Sequence, residues 1–355
     1  MNDTKLYYDK PIFGIDIGFN SIKVMQIAVH NKSHAQVTGY GSTDFDKSAM
    51  KDGSIIDPEK IAKSMYDLFD SGIVGDITTQ RVAVAIPASK TFNRTMQFPK
   101  IDKKSELDEA VRYEAEQYIP APIDELYLDY SVVTKNDKGV EILATAVPQK
   151  IVMSYVDTIH LLGLEPIAME TTISSSGRLF LHSEQNDSPT ILIDFGSVSS
   201  DITIFDKTMV VTGTVTGGGD NFSDLISKKL NVTHAEAQVI KTKYGLGVSK
   251  KQAEIIDALK PILDQLVKEI KRMIRYYEER KTSEESIGQI VTLGGGANMP
   301  GLSEYLTDAL RLPVRMCDPW QSLRFGKLQP PNTAEKSMYI TVAGLALLEP
   351  QELFA

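Results

Sequence analysis

The sequence predicts an α/β protein of two related halves with a compact segment of different character set between them. Three observations carry this reading. Phe13-Gly14-Ile15-Asp16-Ile17-Gly18 near the start is echoed half a chain later by Ile191-Leu192-Ile193-Asp194-Phe195-Gly196. Each is an apolar, β-type run ending in Asp-x-Gly, followed by small or hydroxyl residues and a second apolar run, at 22–27 and at 202–205. In both halves strand-like runs give way to helical ones, whereas residues 100–166 follow a rhythm of their own.

Taken in order, each Asp-x-Gly reads as the polar tip of a β-hairpin. Residues 28–40 continue the first sheet with alternating strands, 61–69 form an amphipathic helix, and 82–86 return as a short buried strand. A helix over 105–118 presents Leu107, Val111, Tyr113, Ala115 and Tyr118 among acids and is stopped by Pro120 and Pro122. Strands over 126–133 and 140–147 flank the turn Asn136-Asp137-Lys138-Gly139, and a helix over 151–162 ends near Gly163. In the second half, Gly217-Gly218-Gly219 precedes a helix from 221 to 230, and another helical stretch starts at Thr233. A long amphipathic helix follows, with Ile262, Leu263, Leu266, Val267, Ile270, Ile274 and Tyr277 on one face. Residues 286–293 form a strand that feeds Gly294-Gly295-Gly296.

Composition excludes several classes. The 355 residues, 42% hydrophobic and 24% charged, describe a folded protein of about two domains. A net charge of -9, from 38 Lys and Arg against 47 Asp and Glu, supplies no positive field for nucleic acid. With Cys317 as the single cysteine there is no internal disulfide and no multi-cysteine zinc site, which fits a reducing cytoplasm. The histidines His30, His34, His160, His182 and His234 lack a His-Glu-x-x-His pattern and are read as surface residues. Residues 1–10 carry no apolar signal region, and no segment reaches the ~18 apolar residues of a membrane span, so membrane association is expected to come from a partner.

The chemistry is expected where Asp16 and Asp194 end buried strands beside glycine. A missing side chain lets backbone N–H groups approach an anion, and the carboxylate can hold a hydrated cation. One such Asp-x-Gly alone is most simply a tight turn; two in matching contexts favour a nucleotide triphosphate gripped by both. Ser21, Lys23, Ser197, Ser199 and Ser200 add donors within these turns. Gly294-Gly295-Gly296-Ala297, ahead of Pro300-Gly301-Leu302, offers bare backbone to a purine or ribose. No Gly-x-x-x-x-Gly-Lys-Ser/Thr and no amino-terminal Gly-x-Gly-x-x-Gly occurs, which disfavours P-loop and Rossmann readings.

These residues resemble the actin-like ATPase superfamily, which includes actin, the heat-shock chaperone ATPases, sugar kinases and the division protein FtsA. Residues 14–18 resemble its first phosphate motif, 193–201 its second and 293–302 its adenosine motif. Within the superfamily the sequence is similar to the PilM family of type IV pilus assembly proteins. The similarity lies in Asp16-Ile17-Gly18 with Ser21-Ile22-Lys23, in Glu114 through Tyr118-Ile119-Pro120, in Leu128-Asp129-Tyr130, in Gly163-Leu164-Glu165-Pro166, and in Glu269-Ile270-Lys271-Arg272 ahead of Tyr276-Tyr277.

The resemblance implies an α/β, actin-like two-domain fold of duplicated ribonuclease H-like halves with an inserted FtsA-type α/β subdomain. The boundaries it suggests are 11–99 for the first half, 100–165 for the insertion and 166–190 for the return to the first half. Residues 191–217 would open the second half, 218–287 form its helical subdomain, and 288–355 complete it with a carboxy-terminal return to the first half. ATP and magnesium (Mg2+) are the implied cofactors, with Asp16 and Asp194 contacting the metal through water. Backbone at Gly18, Phe19, Asn20 and Ser21, with Lys23, and at Gly196, Ser197 and Ser199 would hold phosphates. Gly218, Gly295, Gly296 and Ala297 would flank the nucleoside, and Glu269 and Arg272 are candidates for the ribose and purine edge, or else a solvated face. Glu170 is the catalytic candidate, at the place where chaperone-like members carry an acid near the attacking water; a surface acid at a helix start is the competing reading. Phe19 departs from the small residue usual in this turn.

By the same resemblance the protein is an ATP-binding cytoplasmic scaffold of the type IV pilus inner-membrane assembly complex. It would bind the N-terminal cytoplasmic peptide of PilN in a groove between the first half and the insertion, and would lie at the inner face of the membrane through that partner. Other pilus assembly proteins, and self-association into rings or filaments, are further partners it allows; a slow ATP hydrolysis stays open. Two alternatives remain. A small-molecule kinase would need a general-base Asp and a polar substrate pocket that the insertion does not clearly supply. An FtsA-like division protein would carry a basic amphipathic carboxy-terminal helix, whereas residues 345–355 hold Glu349 and Glu352 and no Lys or Arg.

Overall fold

The computed structural model describes residues 10–31, 34–137, 139–183, 188–281 and 285–349; the amino-terminal stretch before Lys10, the side chains of His30 and His34, Lys138 of the expected turn, and the chain from Pro350 onward, Glu352 included, lie outside the described residues. The described residues group into two units, one of residues 10–88, 150–183 and 318–349, the other of 89–149 and 188–317. Among them no helix is long and apolar enough to cross a membrane.

The first unit is organised by Phe13–Ile17, all five residues buried. It pairs antiparallel with Ser21–Asn31, which pairs antiparallel with His34–Asp44. On its other side it lies parallel to Arg81–Ile86, which lies parallel to Glu165–Thr171. The second unit repeats the plan. Thr190–Phe195 pairs antiparallel with Ser199–Asp206, and that with Thr208–Thr216, while Gln289–Leu293 and Val314–Met316 extend it in parallel. Five strands of each sheet read third, second, first, fourth, fifth with the same directions, which establishes the duplication inferred from the two Asp-x-Gly runs; Val74–Gly75 and Leu323–Arg324 add to the first sheet along His34–Asp44.

Helices begin where local chemistry directs. Asp57 accepts from the Lys60 amide and Pro58 opens the helix Pro58–Asp67, a few residues earlier than the apolar periodicity alone suggests. Thr233 and Glu236 form a reciprocal capping box ahead of His234–Lys243. Gln252–Glu278 buries Ile255, Leu259, Leu263, Leu266, Ile270, Met273 and Tyr277, spaced three or four apart, against the second sheet; Ile262, Val267 and Ile274 of the expected face flank that row and are half-buried.

The inserted segment is larger at its start than the sequence indicates. Phe92–Phe98, inside the expected first half, is the third strand of its sheet, pairing with Gly139–Pro148, which pairs in turn with Leu126–Asn136. The helix Lys104–Tyr118 covers that sheet through Leu107, Val111 and Ala115. Thr95 also donates to the Val210 carbonyl at 2.7 Å, tying this sheet to Thr208–Thr216. The helix Gln149–Leu161, expected to belong to the insertion, lies beyond its first residue in the first unit, because Tyr155, Thr158 and Ile159 are fully buried there.

The carboxy-terminal helix Ile340–Ala346, every residue buried, lies across Phe13–Ile17 and against Thr172–Ser183. Gly14 permits this approach: a Cβ there would stand 2.6 Å from the Val342 carbonyl oxygen and 2.8 Å from the Leu345 Cβ. Gly14→Ala is therefore expected to cost about 1–3 kcal/mol of stability, the usual cost of overpacking a core, read as a lower urea midpoint with the far-UV spectrum of the folded protein unchanged.

Candidate functional site

In the first unit, Phe13–Ile17 carries Asp16 to within one residue of its end. The next residues make a tight turn in which the Gly18 amide donates to the Ser21 carbonyl at 3.0 Å. Asp16 stands opposite Lys23 in the antiparallel register, and Lys23 Nζ lies 3.6 Å from Asp16 Oδ2. Asp16, Ser21 and Lys23 are each 8% exposed, whereas Gly18, Phe19 and Asn20 are half-exposed at the tip. An acid and an ammonium are thus held together beside the turn with little solvent. Below them, the fully buried Tyr155 donates to the Ile17 carbonyl at 3.4 Å. Burial, together with the nearby Asp16 carboxylate, holds the Tyr155 phenol well above its ordinary pKa, so it stays a neutral donor.

The second unit repeats the turn to the same tenth of an ångström: the Gly196 amide donates to the Ser199 carbonyl at 3.0 Å. Ser197 holds the position that Phe19 holds in the first turn, so the larger side chain leaves the closing hydrogen bond intact. Asp194 stands opposite Asp201, the counterpart of Lys23. Asp201 is 9% exposed and accepts from the Thr214 hydroxyl at 2.6 Å; burial pushes its carboxyl up to about 6, partly opposed by that hydrogen bond.

Further backbone closes around this second turn. The Gly219 and Asp220 amides donate to the Gly196 and Ser197 carbonyls, both at 2.9 Å. Gly218 caps the helix Gly219–Leu230, and any Cβ on it would drive into Gly196 and Ser197. Gly294 is held at φ +82°, where a side chain is strained and would collide with the Asp194 carboxylate, and a Cβ on Gly296 would stand 2.8 Å from that of Phe195. Gly295, Gly296 and Ala297 then form a short 3-10 turn over the end of Thr190–Phe195. The glycines at 218, 294 and 296 thus gather at one sheet end, beside the second turn.

Three sequence candidates have other partners. Glu269 and Arg272 pair with each other on the long helix, at 2.5 and 2.9 Å, and Glu269 lies over Gly213 in mid-strand. The part of that helix beside Gly217 is Ile262, about 10 Å away along the axis. They do not join the Gly218 and Gly294 cluster, so a role at the ribose and purine edge is not supported by this placement. Glu170 lies in the strand Glu165–Thr171, not at a helix start, and both its oxygens are taken by the Arg178 guanidinium at 2.5 and 2.7 Å. Arg178 also donates to the Gly344 carbonyl, so this pair braces the carboxy-terminal helix.

One residue at the cluster is absent from the sequence reading. Lys241, 8% exposed, donates to the Gly219 carbonyl at 2.6 Å, and burial lowers its pKa against the opposing pull of Asp220. Its signal in the sequence is a lysine at an inward helical position beside Ala237. Among the described residues no group of three or more His, Cys, Asp or Glu gathers to ligate a metal directly.

A plan of five strands repeated in both sheets, each with an acidic strand end closed by a glycine turn, defines the actin-like ATPase fold. The chain belongs to the type IV pilus assembly protein PilM family, whose model matches residues 14–349, and the family assigns it a role in type IV pilus assembly. Among solved structures it is similar to a PilM-PilN type IV pilus biogenesis complex, 23% identical over 95% of this chain and 98% of that one, with a TM-score of 0.81. It also resembles MreB5 of Spiroplasma citri bound to AMPPNP, 12% identical over 97% of each chain, with a TM-score of 0.55. Cell division protein FtsA of Streptococcus pneumoniae is 23% identical over 87% of this chain and 75% of its own length.

The buried Asp201 carboxyl gives a pH test without nucleotide. Its folded-state pKa, about 6, lies above the ordinary 3.8, so the folded chain binds this proton more tightly than the unfolded one. The stability it contributes is full below about pH 4 and is lost as pH rises through about 6. The difference in urea-unfolding free energy between the protein and Asp201→Asn is expected to change across that window by at most ~1.4 kcal/mol per pH unit. A flat difference would place the Asp201 pKa in the ordinary range.

Proposed function

We propose that the protein binds ATP with Mg2+ and serves as a nucleotide-dependent scaffold in type IV pilus assembly, receiving the N-terminal cytoplasmic peptide of PilN. The observation that carries the nucleotide reading is the repeated turn: a glycine amide closed onto a serine carbonyl, two residues beyond an aspartate near its strand's end, in both units. The chemistry of the residues fits such a ligand, a lysine beside Asp16 and glycine turns closed at Gly18 and Gly196 suiting phosphate oxygens. Asp16 and Asp194 would hold the magnesium ion through its water. Lys23, with the amides of 18–21 and 196–199, would meet phosphate oxygens, and Gly218, Gly295, Gly296, Ala297 and Lys241 would border the nucleoside. When bound, the metal neutralises phosphate charge; the chain's own part is to position and to desolvate. MreB5 with bound AMPPNP, a protein of the same fold, supports the reading.

The peptide reading is supported by family membership and by the likeness to the PilM-PilN complex. Such a partner would hold the protein at the inner face of the membrane. Differential affinity of ATP for two conformations is what would make the scaffold responsive.

Asp16→Ala and Asp194→Ala are each expected to weaken ATP binding at least about ten-fold, read by isothermal titration with Mg2+ present and with circular dichroism confirming the fold. Unchanged affinity in both variants would remove the site assignment. Glu170→Gln is expected to cost about 1–3 kcal/mol of stability through the loss of its charge-assisted bonds to Arg178. ATP affinity and any turnover of that variant should stay as in the parent protein; a selective loss of turnover would restore Glu170 to the chemistry.

A further inference from the structure

The inserted sheet has an open edge. Leu126–Asn136 pairs with Gly139–Pro148 on one side and, among the described residues, with no strand on the other. Its 11 residues make a long edge, against ~5–6 for an ordinary strand, and its outward N–H and C=O groups are a template for a further strand. Between this edge and the helix Lys104–Tyr118 lies a groove of about 500 Å³, lined by Ile101, Leu107, Val111, Leu128, Tyr130 and Val132. Every second residue of the edge, from Leu128 to Val132, thus faces the groove. Val132 is 49% exposed, and Tyr130 is fixed by its hydroxyl, which donates to Asp108 at 2.6 Å.

Charge is spread unevenly along this edge. Glu125 stands just before it and Lys135 near its far end, both exposed and neither with a side-chain partner among the described residues. Asp124, by contrast, is taken by Arg112, and Asp137 by Lys100. A bulge leaves Val133 unpaired, so the regular stretch runs from Leu126 to Val132. An antiparallel copy of the same strand complements this pattern. With a two-fold axis at Tyr130, Leu128 faces the second copy's Val132, Asp129 its Ser131, and Glu125 its Lys135. Moving the axis back one residue would set Asp129 against itself; moving it forward one would set Lys135 against Tyr127 instead of Glu125. Such an axis stands perpendicular to the sheet, so both grooves and both covering helices lie on one face.

We propose that Leu126–Asn136 is a self-docking edge: a second copy of this chain adds antiparallel to it about Tyr130, joining two three-stranded inserted sheets into one. The contact is isologous, so the pair of Glu125 with Lys135 occurs twice in each dimer. Main-chain bonds between the edges supply affinity, and the alternate side chains that meet over the grooves, with the two charge pairs, supply register. The contact uses no residue of either Asp-x-Gly turn and stands independently of the nucleotide reading.

The test is sedimentation equilibrium of the full chain without nucleotide. The mass of the parent protein is expected to rise from monomer toward dimer between about 1 and 100 µM. Lys135→Glu brings like charges together at two places and is expected to weaken the dimer about ten-fold, as is Glu125→Lys. Combining Glu125→Lys with Lys135→Glu should return the affinity to within about three-fold of the parent. Val132→Lys should leave a monomer throughout. All three positions are exposed, so each variant is expected to keep the far-UV spectrum of the parent. A parent that stays monomeric overturns the proposal and leaves the edge to a strand of another protein. A dimer indifferent to Val132→Lys and Lys135→Glu forms through another surface and overturns it as well. Loss with Val132→Lys but no recovery in the combined variant overturns the register. Should Val132→Lys not fold, amide hydrogen exchange of residues 126–132 in the parent decides: protection that grows with protein concentration supports edge pairing, and unchanged protection refutes it.

Discussion

The turn that closes each leading hairpin is the constraint on which the rest depends. A glycine amide bonded to the carbonyl three residues on fixes the chain reversal, and the antiparallel register then sets each strand-end aspartate opposite a defined residue, Lys23 in one unit and Asp201 in the other. Glycine lets other parts of the chain pack closely beside these hairpins. Glycine at 218 and 294 lets neighbouring backbone close on the second turn, and glycine at 14 lets the last helix lie on the first strand.

The two turns share a frame and differ in electrostatics. In the first, Asp16 has an ammonium partner and the pair is nearly excluded from solvent. In the second, Asp194 stands across from another carboxyl whose burial favours its neutral form. A duplicated backbone therefore supports two unlike charge environments. The first turn carries a cation opposite its aspartate, and the second carries a carboxyl at the matching position. The Glu170 and Arg178 pair belongs to a different task. It links the fifth strand of the first sheet to the carboxy-terminal helix, whose carbonyl at Gly344 also takes the guanidinium.

Much of this was legible in the residue order. The matched Asp-x-Gly runs located both hairpins and both aspartates, because a hairpin tip is a local structure whose requirements, small residues and positive or extended backbone, are written within six positions. The helical faces were legible for the same reason, the period of burial being a property of neighbours three and four apart. Phe92–Phe98 was missed as part of the insertion because strand membership depends on a partner forty or more residues away, here Gly139–Pro148. Lys241 was missed because a lysine in an amphipathic stretch signals solvent unless something takes its charge, and the Gly219 carbonyl that does so lies on another helix.

By itself the sequence determined the duplicated plan, the two acidic tips, the glycines around them and the family resemblance, all of which follow from short-range patterns. Only the tertiary structure decided that Glu269 lies beside Gly213 and pairs with Arg272, that Glu170 braces a helix, and that Tyr155 reaches the first turn. Those outcomes turn on where a side chain ends after the chain has crossed from one sheet to the next. No local period encodes that distance, because it is set by the packing of elements remote in sequence.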